Sequence, residues 1–284
     1  MAPGRRAPFW AARRRAPRGA RGTVRERAMT RATLAVIPAR HGAVRFPGKP
    51  LARLWGKPML QHVWERACAA RGIDRLVIAT DDERIARVAR EFGADVEMTS
   101  LACASGTDRV AEVARRHPEY AIVLNLQGDE PELDSEAVSA LVAGMRAELD
   151  VRMATLAHPE PDAEALRAPD VVKVGVDARG DALYFTRGAA PPGSGPLRHV
   201  GVYGFTREFL LEFAAWPPGV LEQAERLEQL RAVERGVKIR VYESASAFSG
   251  VDTPEQLAAL EKRGPRAGLG AAARHGPHTG GEQR

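Results

Sequence analysis

The chain has 284 residues, enough for one sizeable core with a smaller lobe, and carries two isolated cysteines without CxxC spacing and a net charge of +6. The charge belongs to the ends: residues 1–28 hold nine Arg and one Glu, residues 263–284 hold four Arg and one Glu, and the body from Met29 to Lys262 is left at −5. These features argue against a disulfide framework, a zinc ribbon and a uniformly basic nucleic-acid surface, and no stretch approaches the ~20 apolar residues of a membrane span.

Residues 1–32 are rich in Arg, Ala, Pro and Gly, with no apolar periodicity and no apolar run of the secretory type. They read as a disordered tail, with Met29 as an alternative start of translation. A nucleic-acid arm would interleave aromatics; only Phe9 and Trp10 accompany the arginines, so nucleic acid is not expected as a partner. The first strand is Leu34–Ile37. It breaks into Pro38-Ala39-Arg40-His41-Gly42-Ala43-Val44-Arg45-Phe46-Pro47-Gly48-Lys49-Pro50-Leu51, a Pro- and Gly-punctuated loop with cations at Arg40, Arg45 and Lys49. In open α/β sheets ligands sit just beyond the carboxyl ends of strands, and a basic, Gly-containing loop there suits a polyphosphate.

Strand-like runs then follow at Leu76–Ala79, Ala94–Met98 and Ile122–Leu126, separated by helical patterns at about 58–71, 82–92 and 107–116. A further helix opens after Asp134, an expected N-cap, with Val138, Leu141, Val142 and Met145 on one face. Strands alternating with helices predict an α/β, doubly wound, mostly parallel sheet. The second half changes character: Arg152–Ala157, Val171–Val176, Ala182–Phe185 and Val200–Phe205 read as strands of an inserted antiparallel region. Helices are expected at about 206–215 and 221–235, a strand at Val237–Tyr242, and a last helix opening on the capping box Thr253-Pro254-Glu255-Gln256. Residues 263–284, rich in Gly, Ala and His, read as a second disordered tail around a single domain at 33–262.

Two acidic sites carry chemical interest. Asp129 and Glu130 follow the buried run Ile122–Leu126, and Asp252 directly precedes the last helix. Thr253 already fills the cap position, so Asp252 has no evident structural duty, whereas Asp129 could be a simple turn former. A basic phosphate loop with separated carboxylates is what metal-assisted nucleotide chemistry needs, because Mg²⁺ takes one or two carboxylates plus substrate phosphates. A Walker A loop is excluded, since Ala43 replaces its first Gly and Pro50 its Ser/Thr; the loop has no GxGxxG, and no HExxH or GxSxG occurs in the chain.

Between about residues 33 and 262 the chain closely resembles the 3-deoxy-manno-octulosonate (Kdo) cytidylyltransferases, also called CMP-Kdo synthetases. The resemblance rests on twelve stretches in order: Ile37-Pro38-Ala39-Arg40, Phe46-Pro47-Gly48-Lys49-Pro50-Leu51, Gly56-Lys57-Pro58-Met59, Ala79-Thr80-Asp81, Ser105-Gly106-Thr107-Asp108-Arg109, Gln127-Gly128-Asp129-Glu130-Pro131, Met153-Ala154-Thr155-Leu156, Val172-Lys173-Val174, Ala182-Leu183-Tyr184-Phe185-Thr186-Arg187, Leu197-Arg198-His199, Leu227-Glu228-Gln229-Leu230-Arg231 and Gly250-Val251-Asp252-Thr253-Pro254. It implies a nucleotide-diphospho-sugar transferase-like fold with a dimerisation and sugar-binding insertion. The implied reaction is CMP transfer from CTP to Kdo with Mg²⁺, in a cytoplasmic homodimer that supplies lipopolysaccharide synthesis. By position, Arg40 and Lys49 would hold CTP phosphates with Arg45 nearby, and Asp129 and Asp252 would bind the metal. Arg109, Gln127, Arg187, His199, Tyr203 and Glu228 would face the sugar, with Glu225 a rival for Glu228. Relatives usually have Ser-Thr at Ala43-Val44 and a longer connection at Gly188–Pro196. A related acidic sugar such as 8-amino-Kdo, or a non-catalytic sugar-nucleotide binder, are the alternatives.

Overall fold

The computed structural model describes residues 31–266 apart from 43–45, 161, 163, 192–194, 246–247 and 249. Residues 1–30 and 267–284 of the two tails, Arg45 and the Ala43-Val44 departure therefore lie outside the described residues, as does part of the 188–196 connection; Arg263, expected in the second tail, instead ends the last helix.

A nine-stranded sheet forms the centre. Its principal strands are β1 (Thr33–Ala39), β4 (Arg75–Thr80), β5 (Asp95–Met98), β6 (Ile122–Asn125), β7 (Met153–His158), β10 (Leu197–Thr206) and β11 (Ile239–Glu243), ordered β11-β7-β10-β6-β1-β4-β5. Six of these seven run the same way; β10 alone is reversed, antiparallel to both β6 and β7. The doubly wound reading holds. The antiparallel segment, however, is less separate than expected, because β10 is wedged into the main sheet. From it branch β8 (Lys173–Val176) and β9 (Ala182–Thr186), an antiparallel pair.

Alternation along β1 explains the two-sided core. Ala35, Ile37 and Ala39 join one buried cluster, while Leu34 and Val36 join the other. On the first face lie α1 (Met59–Ala69), α2 (Glu83–Glu91) and α4 (Ser135–Ala147); on the second lie α3 (Gly106–Arg116) and α5 (Arg207–Ala214), whose Phe209 and Phe213 pack with Phe205 of β10. Local signals start the helices where expected. Asp134 accepts from the amides of Glu136 and Ala137 at 2.9 and 3.2 Å, and Ser105 and Asp108 form a reciprocal box at the head of α3.

Two features differ from the sequence reading. A hairpin of β2 (Arg53–Leu54) and β3 (Lys57–Pro58) precedes α1, turning through Trp55 (φ 47°) and Gly56 (φ 80°), the paired positive φ of a two-residue hairpin turn. The helix expected at 221–235 is two: α6 (Val220–Glu225) and α7 (Leu230–Glu234), broken where Arg226 turns left-handed at φ 54°. The break follows from polar demand. Glu225 Oε1 and Oε2 accept from Thr186 Oγ1 and the Arg187 amide at 2.7 and 2.9 Å, while Glu228 turns the other way and accepts from the Thr107 hydroxyl. The last helix is α8 (Pro254–Arg263), capped by Thr253 with Gln256 completing the box. No helix among the described residues is long and apolar enough to cross a membrane.

Candidate active site

β4 and β6 flank β1 on opposite sides, so the sheet's switch point lies at the carboxyl ends of β1 and β6, where a crevice is expected. Gly128 permits the approach that closes this floor. A Cβ there would stand 2.9 Å from the Pro38 carbonyl oxygen, and Leu126 already donates to the Val36 carbonyl at 3.0 Å.

Two cavities open at this edge. The first, about 310 Å³, is lined by Arg40, Phe46, Lys49, Ser105, Arg109, Gln127, Asp129 and Asp252. The second, about 380 Å³, is lined among others by Gln127, Glu130, Arg187, His199, Tyr203, Glu228 and Asp252. Gln127 and Asp252 belong to both, so one bipartite cleft runs from the basic loop to the β9–β10 region.

At the junction Lys49 Nζ donates to Asp129 Oδ2 at 2.5 Å and to Asp252 Oδ1 at 3.2 Å. Lys49 is delivered by a 3₁₀ turn (Lys49–Leu51) behind Gly48, whose φ of 74° suits glycine; the Gly48 amide donates to the His41 carbonyl at 2.9 Å. Asp252 arrives from the far end of the chain, because the Val251 amide donates to the Asp129 carbonyl at 2.9 Å. Gln256 Oε1 accepts from the Asp252 and Thr253 amides, leaving capping of α8 to the Thr253 hydroxyl. The expectation that Asp252 is not a cap therefore holds.

The two carboxylates suit a divalent cation. An ammonium already spans them, so the pair accommodates a positive charge between its oxygens. Among the described residues no group of three or more His, Cys, Asp or Glu could hold a metal. Asp129 and Asp252 are the two carboxylates that could hold Mg²⁺ if substrate phosphates supplied its other oxygen ligands.

The remaining sequence candidates fall as follows. Arg40 is exposed at the mouth of the first cavity. Arg109, expected on the sugar side, instead lines the first cavity and is buried, its guanidinium donating to Asp81 Oδ2 at 2.6 Å and to the Thr99 hydroxyl. Arg187, His199, Tyr203 and Glu228 gather in the second cavity, whereas Glu225 grips backbone outside it, which separates the two rival glutamates.

Strand β10 carries a register shift between Val200 and Tyr203 opposite Thr155. Thr155 Oγ1 lies 2.8 Å from the Val202 carbonyl and 2.9 Å from His199 Nε2. A hydroxyl has one proton; given to the carbonyl, it leaves Oγ1 to accept from His199 Nε2–H, with Nδ1 an acceptor. Burial, and then Arg187, push the His199 pKa down to about 3, so the ring is neutral. Tyr203 is held in its phenol form by burial and by the nearby Glu228 and Glu130 carboxyls, and burial raises Glu228.

The neutral His199 ring has a measurable consequence. In the unfolded chain this histidine protonates below about pH 6.5, but in the native state only near 3, so the unfolded state binds the extra proton between those values and stability is lost as the pH falls through that window. Melting temperatures from pH 7 to 4 should decline less steeply in His199→Gln than in the parent, the term being at most about 1.4 kcal/mol per pH unit. Parallel declines would refute the neutral, desolvated ring.

Two buried charged residues were given no role from the sequence, Glu130 being noted only as the second member of an acidic pair and Lys173 only within a matching stretch. Glu130 is buried beside Asp129, with Oε2 unpartnered among the described residues; burial and then Asp129 hold its carboxyl well above the usual range. Lys173 is fully buried on β8. Its signal was present, a lysine inside the apolar run Val171-Val172-Lys173-Val174.

A family profile described as cytidylyltransferase matches residues 34–239. A 3-deoxy-manno-octulosonate cytidylyltransferase of Anaeromyxobacter dehalogenans (strain 2CP-1) is 53% identical over 229 residues, covering 78% of this chain and 93% of that protein. This chain belongs to the 3-deoxy-manno-octulosonate cytidylyltransferase family. A family member from Myxococcus xanthus (strain DK1622) is 47% identical over 235 residues, covering 81% and 95% of the two chains. A solved CMP:2-keto-3-deoxy-manno-octonic acid synthetase complexed with CTP superposes with a TM-score of 0.77 at 42% identity, covering 82% of this chain and 98% of that one. The cytidylyltransferase fold extends further: a 4-diphosphocytidyl-2C-methyl-D-erythritol synthase from Anaerococcus prevotii has a TM-score of 0.60 at 13% identity over 84% of this chain and 98% of that one, a likeness of fold alone.

Proposed function

We propose that this chain transfers CMP from CTP to the anomeric hydroxyl of Kdo, releasing pyrophosphate, as an Mg²⁺-dependent cytoplasmic homodimer that activates the sugar for lipopolysaccharide synthesis. The observation that carries the reading is the bipartite cleft: a basic lobe and a sugar-sized lobe share Gln127 and Asp252, with Lys49 and Asp129 at their junction. Family membership and the CTP complex of a 42% identical relative support the choice of nucleotide and sugar.

Arg40 and Lys49 grip the phosphates in the first lobe, where the leaving pyrophosphate carries the growing charge. Arg187 meets the sugar carboxylate in the second; its Nη2 is free of partners among the described residues, and neutral His199 offers hydrogen bonds without a competing charge. The hydroxyl oxygen bonds to the α-phosphorus as the bond from that phosphorus to the β-phosphate oxygen breaks, and the hydroxyl proton leaves to solvent. Asp129 and Asp252 would hold Mg²⁺, which when bound neutralises phosphate charge and lowers the pKa of the attacking hydroxyl. The protein's own contribution is to hold two anions in line against their mutual repulsion.

The test is pyrophosphate release from CTP with Mg²⁺ and a panel of acidic sugars. Release with Kdo, abolished by EDTA, is the expected result. Faster turnover of 8-amino-Kdo would reassign the sugar, and no release with any of them would overturn the enzyme reading.

A further inference from the structure

Lys173 is fully buried, and the hydrogen bonds of its ammonium among the described residues go to carbonyls rather than to a carboxylate. Nζ donates instead to three carbonyls: Arg187 at 2.6 Å, Val171 at 2.8 Å and Ala168 at 3.3 Å. Taking an ammonium out of water is costly, and methionine would fill the same volume without that cost. The hydrogen bonds must therefore do something that packing alone would not.

What they hold is one wall of the second cavity. The Arg187 backbone is gripped on both sides, its carbonyl by the Lys173 ammonium and its amide by Glu225 Oε2 at 2.9 Å. Arg187 Nε then donates to the Glu225 carbonyl at 3.2 Å, so the same glutamate fixes where the side chain leaves the strand. The Val171 carbonyl held by Lys173 directly precedes Val172, whose own carbonyl accepts the His199 amide at 2.8 Å. One ammonium thus ties β8, the end of β9 and the 168–171 turn around a single cationic ligand-binding side chain.

We propose that Lys173, acting with Glu225, is a positioning residue that presents Arg187 to the carboxylate of the sugar acid and so sets affinity for that substrate. The proposal rests on the second cavity being the sugar lobe. Lys173 does not touch the substrate, and burial together with nearby Arg187 works against its charge, partly offset by Glu225 and Asp170. A site that keeps a charge under those conditions is arranged around the charge.

The test is steady-state kinetics of the full chain with CTP and Kdo for Lys173→Met, Glu225→Gln, Arg187→Ala and the Lys173→Met/Arg187→Ala double variant. Lys173→Met should raise the KM for Kdo about tenfold while leaving the KM for CTP within about twofold, and Glu225→Gln should shift the same constant by about threefold. In the Arg187→Ala background the lysine substitution should add less than about twofold, because its effect runs through the arginine. A merely structural lysine would raise both KM values together, or multiply with Arg187→Ala; either result overturns the proposal. If Arg187→Ala leaves the Kdo KM unchanged, the sugar-lobe assignment itself falls, a result distinct from a Lys173 effect that fails to couple. Should Lys173→Met not fold by thermal melt, Glu225→Gln with and without Arg187→Ala gives the same comparison.

Discussion

Replacing Asp129 by Asn should lower kcat for pyrophosphate release on the order of a thousandfold while the protein melts normally. Lys49 keeps Asp252 as a partner when this charge is removed, so the effect on stability should be small beside the effect on turnover. What Asp129 contributes structurally is its backbone carbonyl, which receives the Val251 amide at 2.9 Å and pins the Asp252 segment to the switch point, and asparagine keeps that carbonyl. What it loses is one of two carboxylates across the junction of the lobes, with Lys49 left to Asp252 alone. Asp252→Asn should fall in the same way. The double variant should cost little more than either single one, since two ligands of one cation act as a unit. Single-turnover pyrophosphate release at saturating CTP and Mg²⁺ makes the measurement. A loss of less than tenfold in both variants would remove these carboxylates from the chemistry.

The residues of the first cavity were legible because their signals are local. The first strand (which continues through Pro38 to Ala39 rather than ending at Ile37), the punctuated loop carrying Lys49, the acidic turn after a buried run, and an aspartate displaced from its cap by Thr253 are each readable within a dozen residues. Their convergence follows from a parallel sheet, in which strand ends share an edge. The second cavity was less legible because it depends on pairing across long sequence separations. Nothing near Leu197–Thr206 announces that this strand inserts backwards between β6 and β7, and that insertion turns His199 and Tyr203 into the second cavity. The same holds for the helix break at Arg226, which answers to Thr186 and Arg187 some 40 residues upstream. Arg109 reads as a sugar ligand by position in the chain, yet its buried ion pair with Asp81 at the end of β4 commits it to the first cavity. The choice of sugar came from the resemblance alone, since spacing and charge specify an anion without specifying which one.

Lys49→Met should produce an outcome that no ordinary phosphate-binding residue would. Turnover should fall by about a hundredfold or more, as for any cation on the leaving phosphates. Lys49 also spans Asp129 and Asp252, with its side chain only 13% exposed against 27% and 40% for theirs. Without the ammonium the carboxylates face each other uncompensated, and the protein should lose about 1–2 kcal/mol, less than for a fully buried pair because solvent screens the aspartates. On the proposed assignment of Mg²⁺ to Asp129 and Asp252, the cation would compete with the ammonium for the same oxygens, and removing the lysine should strengthen metal binding without nucleotide. Added Mg²⁺ without nucleotide should therefore raise the melting temperature of Lys49→Met more than that of the parent, following the mass-action dependence of stability on a ligand that binds only the native state. In the parent, the phosphates of CTP would supply the competing charge that draws the ammonium off the carboxylates, so on the proposed assignment Mg²⁺ should stabilise the parent strongly only with CTP present. Equal Mg²⁺ shifts in both proteins without nucleotide would mean that the metal binds elsewhere, and that Lys49 does not guard its site.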